Sequence, residues 1–225
     1  MTQKEPLVID VISDVVCPFC YLGKRRLDKA LAEVTDLDVV VRWHPYQLDE
    51  TLPKEGKDRA KYLSDKFGSV EAVDPMHQRI EAEGRDLGIN YKFDKIANSP
   101  NTLDMHRLIL WSRADDLQSE TVERLFQLYF EEGADLTKPE ALVNVAKEVG
   151  MEHDLVEQLL ETDSDLEKTQ KQVAQAREMG VTGVPFFIID GRFAISGAEK
   201  PETLVSAIRH ADETSTTEPE YTMMQ

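Results

Sequence analysis

Strand-forming runs stand only at the two ends of this sequence, and a long stretch of helical pattern, from about Arg59 to Met179, separates them. Leu7 to Ile12 is apolar except for Asp10, the pattern of a strand buried on both faces. Val39 to Trp43 repeats that pattern and ends at His44-Pro45. Between them, a segment opened by Pro18 carries Leu22, Leu27 and Leu31 and predicts a helix. Strand, helix, strand with so long a crossover is a βαβ unit, which requires a parallel pair. Pro185 to Ile189, then Asp190-Gly191, then Arg192 to Ile195 predict a β-hairpin, and Pro201 opens a last helix bearing Leu204, Val205 and Ile208. The reading is an α/β chain whose single sheet is assembled from both ends.

In the middle stretch, Val122, Leu125, Phe126 and Tyr129 fall at i, i+3, i+4 and i+7, as do Leu142, Val145, Ala146 and Val149. Thr137 with Glu140 predicts a capping box before the second stripe, and Ser99-Pro100 a helix start for Leu103 to Trp111. No strand-like alternation occurs there, so a block of helices is expected. The segment from about Glu213 onward is polar and aperiodic, the pattern of a frayed tail.

Only two cysteines occur, Cys17 and Cys20, which excludes a disulfide framework and leaves them to act as a local pair. They fall where the first strand gives way to the first helix. Cys17 is predicted at the N-cap, where its sulfur would accept hydrogen bonds from free backbone N–H groups and feel the positive end of the helix dipole. Both effects favour thiolate. Pro18 suits the first turn because the N–H it lacks would have no helical partner there. Cys20 lies one turn on, within disulfide reach and further inside the helix. Cys17 is then expected to attack and Cys20 to resolve the mixed disulfide. Phe19, between them, is expected to be exposed and to touch substrate. An inert buried pair fits poorly with a proline-containing βα junction. Half of a zinc site would need two further ligands, and the five histidines show no paired ligand spacing.

A second feature is Gly180-Val181-Thr182-Gly183-Val184-Pro185, directly before the apolar run. Proline lowers the cost of a cis bond to about 0.5–1 kcal/mol, so a cis Val184-Pro185 bond is expected when the segment is considered with the cysteines. It would turn the Val184 backbone outward to pair with an extended substrate. Lys24-Arg25-Arg26 reads as a solvated helix face, and Asp14 as a strand-end carboxylate making local hydrogen bonds. Helix capping accounts for Asn101 and Thr102, and a satisfied structural role for His106.

Composition restricts the function classes. With 43 acidic against 26 basic residues the net charge is −17, which repels phosphate backbones and argues against nucleic-acid binding. No window approaches the roughly 18 consecutive apolar residues of a membrane span. The first residues lack the basic and apolar segments of a signal peptide, so a cytoplasmic protein is expected.

These motifs resemble the DsbA family of thioredoxin-fold proteins, above all its FrnE-like branch, which is related to the 2-hydroxychromene-2-carboxylate isomerases. The resemblance runs from about Leu7 to Ile208. Its residues are Ser13-Asp14 before Cys17-Pro18-Phe19-Cys20, Ser99 to Thr102 with His106-Arg107-Leu108, Gly180 to Phe187, and Asp190-Gly191 with Ala194 to Ala198. It implies a thioredoxin fold with a large α-helical insertion, residues 1–55 and 165–212 forming the thioredoxin-like part, 56–164 the insertion and 213–225 the tail. It also implies dithiol–disulfide exchange at Cys17 and Cys20, with Val184, Pro185 and Phe19 as substrate contacts. No metal or cofactor is implied beyond the redox pair, although glutathione is a possible co-substrate. Partners would be thiol- or disulfide-bearing proteins or small molecules, and the chain a monomer or homodimer. The alternative is a glutathione-dependent isomerase or kappa-class-type transferase, but such relatives typically carry serine at the first position and no second cysteine.

Overall fold

The computed structural model describes residues 5–215. β1 (Leu7–Ser13) leads into α1 (Pro18–Ala32) and β2 (Val39–Pro45), and β1 and β2 pair in parallel, Leu7 opposite Val39 and Ser13 opposite Pro45. A short two-stranded ladder, β3 (Lys57–Asp58) with β4 (Asn98–Ser99), closes the loop that carries α2 (Arg59–Phe67) and α3 (Asp74–Arg85). There follow α4 (Leu103–Ser112), α5 (Gln118–Gln127), α6 (Pro139–Val149), α7 (His153–Leu160) and α8 (Leu166–Glu178). Just after α5, Leu128–Glu132 forms a π-helical turn that ends at Gly133. The hairpin β5 (Phe186–Ile189) and β6 (Phe193–Ser196) and the helix α9 (Pro201–Glu213) complete the chain.

The strands order as β2-β1-β5-β6, with β5 antiparallel to β1 and β6 antiparallel to β5. Asp190 (φ 54°) and Gly191 (φ 65°) both take the left-handed conformation in a three-residue loop between the paired Ile189 and Phe193, where the Arg192 N–H donates to the Ile189 carbonyl at 3.1 Å. A parallel βαβ unit joined to an antiparallel hairpin and a closing helix is the thioredoxin arrangement.

Side chains alternate between the sheet's faces. Leu7, Ile9, Val11, Phe187 and Ile189 point into the main core with Leu22 and Leu27 of α1 and Leu204 and Ile208 of α9. Ile12 and Ile188 face a smaller cluster with Ala176 of α8 and Val181. Asp10, the polar residue in β1, lies on that second face and bonds His44 of β2 at 2.6 Å, which explains how a carboxylate is tolerated in a buried strand. The main core continues without interruption into the helical block through Tyr21, Phe126 and Phe130. Among the described residues no helix is long and apolar enough to cross a membrane.

Several expectations are corrected. The helical block holds one strand, β4, because the chain at Asn98 must pair with Lys57–Asp58 to close its loop. Ser99 lies in that strand and caps nothing; α4 starts at Leu103, whose N–H donates to Asn101 Oδ1 at 3.0 Å. Thr137 makes no capping box, since Asp135 is nearer in the chain and takes both its N–H (3.1 Å) and its hydroxyl (2.7 Å). The expected tail begins inside α9, which continues through Glu213, and its residues from 216 lie outside those described.

Candidate active site

Cys17 is the N-cap of α1 and Pro18 its first helical residue. The sulfur does not cap the helix as expected. Instead the Cys17 thiol donates to the Val184 carbonyl at 3.5 Å, across 167 residues of sequence, while the free N–H of Cys20 is taken by the Cys17 carbonyl at 3.0 Å. The Val184-Pro185 bond is cis. Pro185 is buried against α1, where Gly23 leaves room for it: a Cβ at Gly23 would stand 2.8 Å from Pro185 Cγ. The two ends of the sequence thus meet at one point, the proline loop lying on the first turns of α1.

Both thiols are buried, Cys17 at 3% and Cys20 at 1% exposure. Burial pushes the Cys20 thiol well above the ordinary range, and the hydrogen bond and charge of Cys17 push it the same way, against smaller opposing contributions from the Ser13 side chain and the Asp14 backbone. Cys20 therefore stands as a protonated thiol beside Cys17, behind it with respect to solvent.

Cys17 borders a cavity of about 260 Å³ that Pro18, Phe19 and Val184 also line. Phe19 is half-buried in its wall, contrary to the expected exposure, because α2 and α3 cover this end of α1. One face of α2 supplies Arg59, Tyr62, Leu63 and Lys66 to the lining, and Leu48, Leu52, Phe67 and Met76 make the rest mostly apolar. Arg59 has a hydrogen bond to Tyr129 Oη at 3.2 Å and, among the described residues, no carboxylate within 4.0 Å. A larger cavity of about 600 Å³ lies on the far side of Arg59, Leu63 and His77 and does not reach the cysteines. His77 is stacked on Phe93, and burial, with Arg59 nearby, lowers its pKa to about 4.

Asp14 also lines the cysteine cavity, and its partners are not local. Its Oδ2 accepts from Leu48 N–H at 2.7 Å, and His106 Nε2 lies 3.4 Å from Oδ1 while bonding Tyr46 O at 2.9 Å. Lys24-Arg25-Arg26 is not a solvated face. Lys24 and Arg25 reach Glu123 of α5 at 3.0 and 2.5 Å, and Arg26 reaches Glu83 of α3 at 2.7 Å and the Ala198 carbonyl. These basic residues fasten α1 to the helical block, a role that basic residues on a charged helix do not announce in sequence. Thr102 lines the cysteine cavity, whereas Asn101 binds the chain at Leu52 O and Gln47.

A model of the DSBA-like thioredoxin domain matches residues 8–209. The chain is 28% identical over 201 residues to a Bacillus subtilis (strain 168) protein named Uncharacterized protein YwbO, covering 89% of this chain and 94% of that one. It superposes with a TM-score of 0.85 on a structure described as a probable DsbA oxidoreductase from Streptomyces coelicolor, 25% identical, over 97% of this chain and 94% of that one. Cytosolic disulfide reductase DsbM from Pseudomonas aeruginosa, solved with GSH, shares the fold at 17% identity and a TM-score of 0.67, over 92% and 99%. A 2-hydroxychromene-2-carboxylate isomerase does so at 20% identity and 0.68, over 92% and 100%. The chain belongs to the DSBA-like thioredoxin domain family.

Proposed function

We propose that the protein is a thiol–disulfide oxidoreductase of the FrnE-like kind that works in the cytosol, with Cys17 as nucleophile and Cys20 as resolving thiol. The observation that carries this reading is the placement of Cys17: it stands at the N-terminal end of α1, borders a cavity and touches Val184 O beside the cis proline, with Cys20 shielded behind it. In the reductive direction the Cys17 thiolate attacks one sulfur of a substrate disulfide. A bond forms between Cys17 and that sulfur, and the other substrate sulfur leaves as a thiolate and takes a proton. Cys20 then gives up its proton and attacks Cys17 Sγ, releasing the second substrate thiol. The substrate has gained two electrons and two protons, and the pair has become a disulfide. The reverse sequence oxidises a dithiol. Breaking the Cys17–Val184 contact frees the Val184 carbonyl for an extended substrate, as in strand addition.

Protein or small disulfides are substrates in this reading, with glutathione as a co-substrate. Arg59 of α2 supplies a cationic group to a largely apolar cavity and suits a carboxylate of such a tripeptide, while Lys66 on the same face is paired with Asp49 at 3.9 Å. That same cavity supports a second reading, a glutathione-dependent isomerase or transferase that retains its cysteines.

Insulin reduction with glutathione as reductant separates the two. Cys17→Ser is expected to lower turnover at least about a hundredfold, and Cys20→Ser to accumulate a mixed disulfide at Cys17. Wild-type protein that binds glutathione calorimetrically yet reduces no disulfide would favour the isomerase or transferase.

A further inference from the structure

Tyr91 reaches the cysteine motif from the helical block. Its hydroxyl donates to the carbonyl of Pro18, between the two cysteines, at 2.7 Å. A first-turn carbonyl already serves the helix ladder as acceptor, so the chain does not need this bond to satisfy Pro18. The ring is nevertheless fixed in place on every side. It lies parallel to Phe93 (centroids 5.1 Å, 8°), which is itself stacked on His77 (3.9 Å, 8°). Tyr21, next to Cys20, and Phe130 meet it edge to face at 5.8 and 5.5 Å. Gly84 in the last turn of α3 makes the space for it: a Cβ there would stand 2.6 Å from Tyr91 Cε2. Burial pushes the Tyr91 phenol far above its ordinary range, and the charges of Tyr21, Cys17 and Cys20 push it further. The hydroxyl is thus a permanent donor within electrostatic reach of both sulfurs.

We propose that Tyr91 is a positioning residue of the redox site: its O–H dipole, aimed into the Cys17–Cys20 turn, stabilises negative charge on the reduced pair and so sets its thiolate fraction and its equilibrium with disulfides. This rests on the oxidoreductase reading and adds to it a role for the helical block. A hydroxyl whose positive end faces the motif withdraws electron density from the Pro18 carbonyl. Removing it leaves a more negative carbonyl near the sulfurs, which disfavours thiolate and shifts the pair toward disulfide.

Tyr91→Phe keeps the ring and removes the donor. In equilibrium with reduced and oxidised glutathione, this variant is expected to favour the Cys17–Cys20 disulfide about threefold to tenfold more than wild type, the range one such hydrogen bond carries. The pH profile of Cys17 alkylation, read in a Cys20→Ser background, is expected to move to higher pH. Gly84→Ala, which displaces the ring by its edge, is expected to move both readouts in the same direction. A folded Tyr91→Phe protein with an equilibrium constant within twofold of wild type and an unmoved alkylation profile would overturn the proposal, and so would a shift toward the dithiol. Should Tyr91→Phe not fold, Gly84→Ala decides on the same two readouts. A wild-type pair that never exchanges with glutathione would instead remove the oxidoreductase reading, and this proposal with it.

Discussion

Arg107 shows most plainly what a single residue contributes here and what its sequence context conceals. It is 1% exposed, yet its guanidinium donates to Asp104 Oδ1 (2.8 Å) and to the carbonyls of Ser164 (2.8 Å), Leu159 (2.7 Å) and Thr162 (2.6 Å), and lies over the Trp111 ring. It thereby closes the turn between α7 and α8. Arg107→Met removes the guanidinium donor of the Ser164 and Thr162 carbonyls, whereas Leu159 O keeps Thr162 as a donor, and urea unfolding is expected to show a loss of about 3 kcal/mol. In sequence this arginine belongs to the His106-Arg107-Leu108 stretch that carries the family resemblance, but nothing near it in the chain shows its burial or its carbonyl partners. The cysteines differ because proline between them, and a strand run before them, fix their place by local rules. The Cys17 thiol's bond to Val184 was beyond those rules, since its partner lies 167 residues away.

Elements explain why the fold was largely legible. Short continuous apolar runs and an Asp-Gly turn specify the sheet, and Pro18 and Pro201 mark helix starts, all within a few residues of sequence. Capping signals were less informative, because the hydroxyls of Ser99 and Thr137 have competing local partners or lie in a strand. The helix-to-loop approach at Gly23 was not legible either, since a glycine inside a helical pattern says nothing of what lies opposite. A methyl there meets Pro185 Cγ at 2.8 Å and Phe187 Cζ at 3.2 Å. Gly23→Ala is expected to cost about 1–3 kcal/mol from overpacking, despite the higher helix propensity of alanine, and to lower disulfide exchange by displacing the proline loop. Thermal unfolding and insulin reduction measured together check both effects.

At the scale of the molecule, one core joins the sheet to the helical block, and the candidate site lies where they meet. The helical pattern predicted that block but not which face it would present to Cys17, because that face is set by packing between distant segments. His77 reports on this junction. Its pKa is lowered to about 4 in the folded chain, first by burial and then by Arg59, so the folded state binds fewer protons than the unfolded state between pH 4 and 6.5. Stability must therefore fall as pH drops through that window. After allowance for solvent access to the half-buried ring, the contribution is about 1 kcal/mol. His77→Gln is expected to flatten the dependence of the urea midpoint on pH in that interval.

The proposed function requires Cys17 and Cys20 to form a reversible redox pair. Its most direct test is equilibration of the protein over a range of glutathione ratios, with acid quenching, alkylation and intact-mass measurement. A reversible pair gives one two-electron transition in which both thiols disappear together and the protein loses two hydrogens. Two thiols that remain alkylatable at every ratio, or oxidation only between chains, would contradict it.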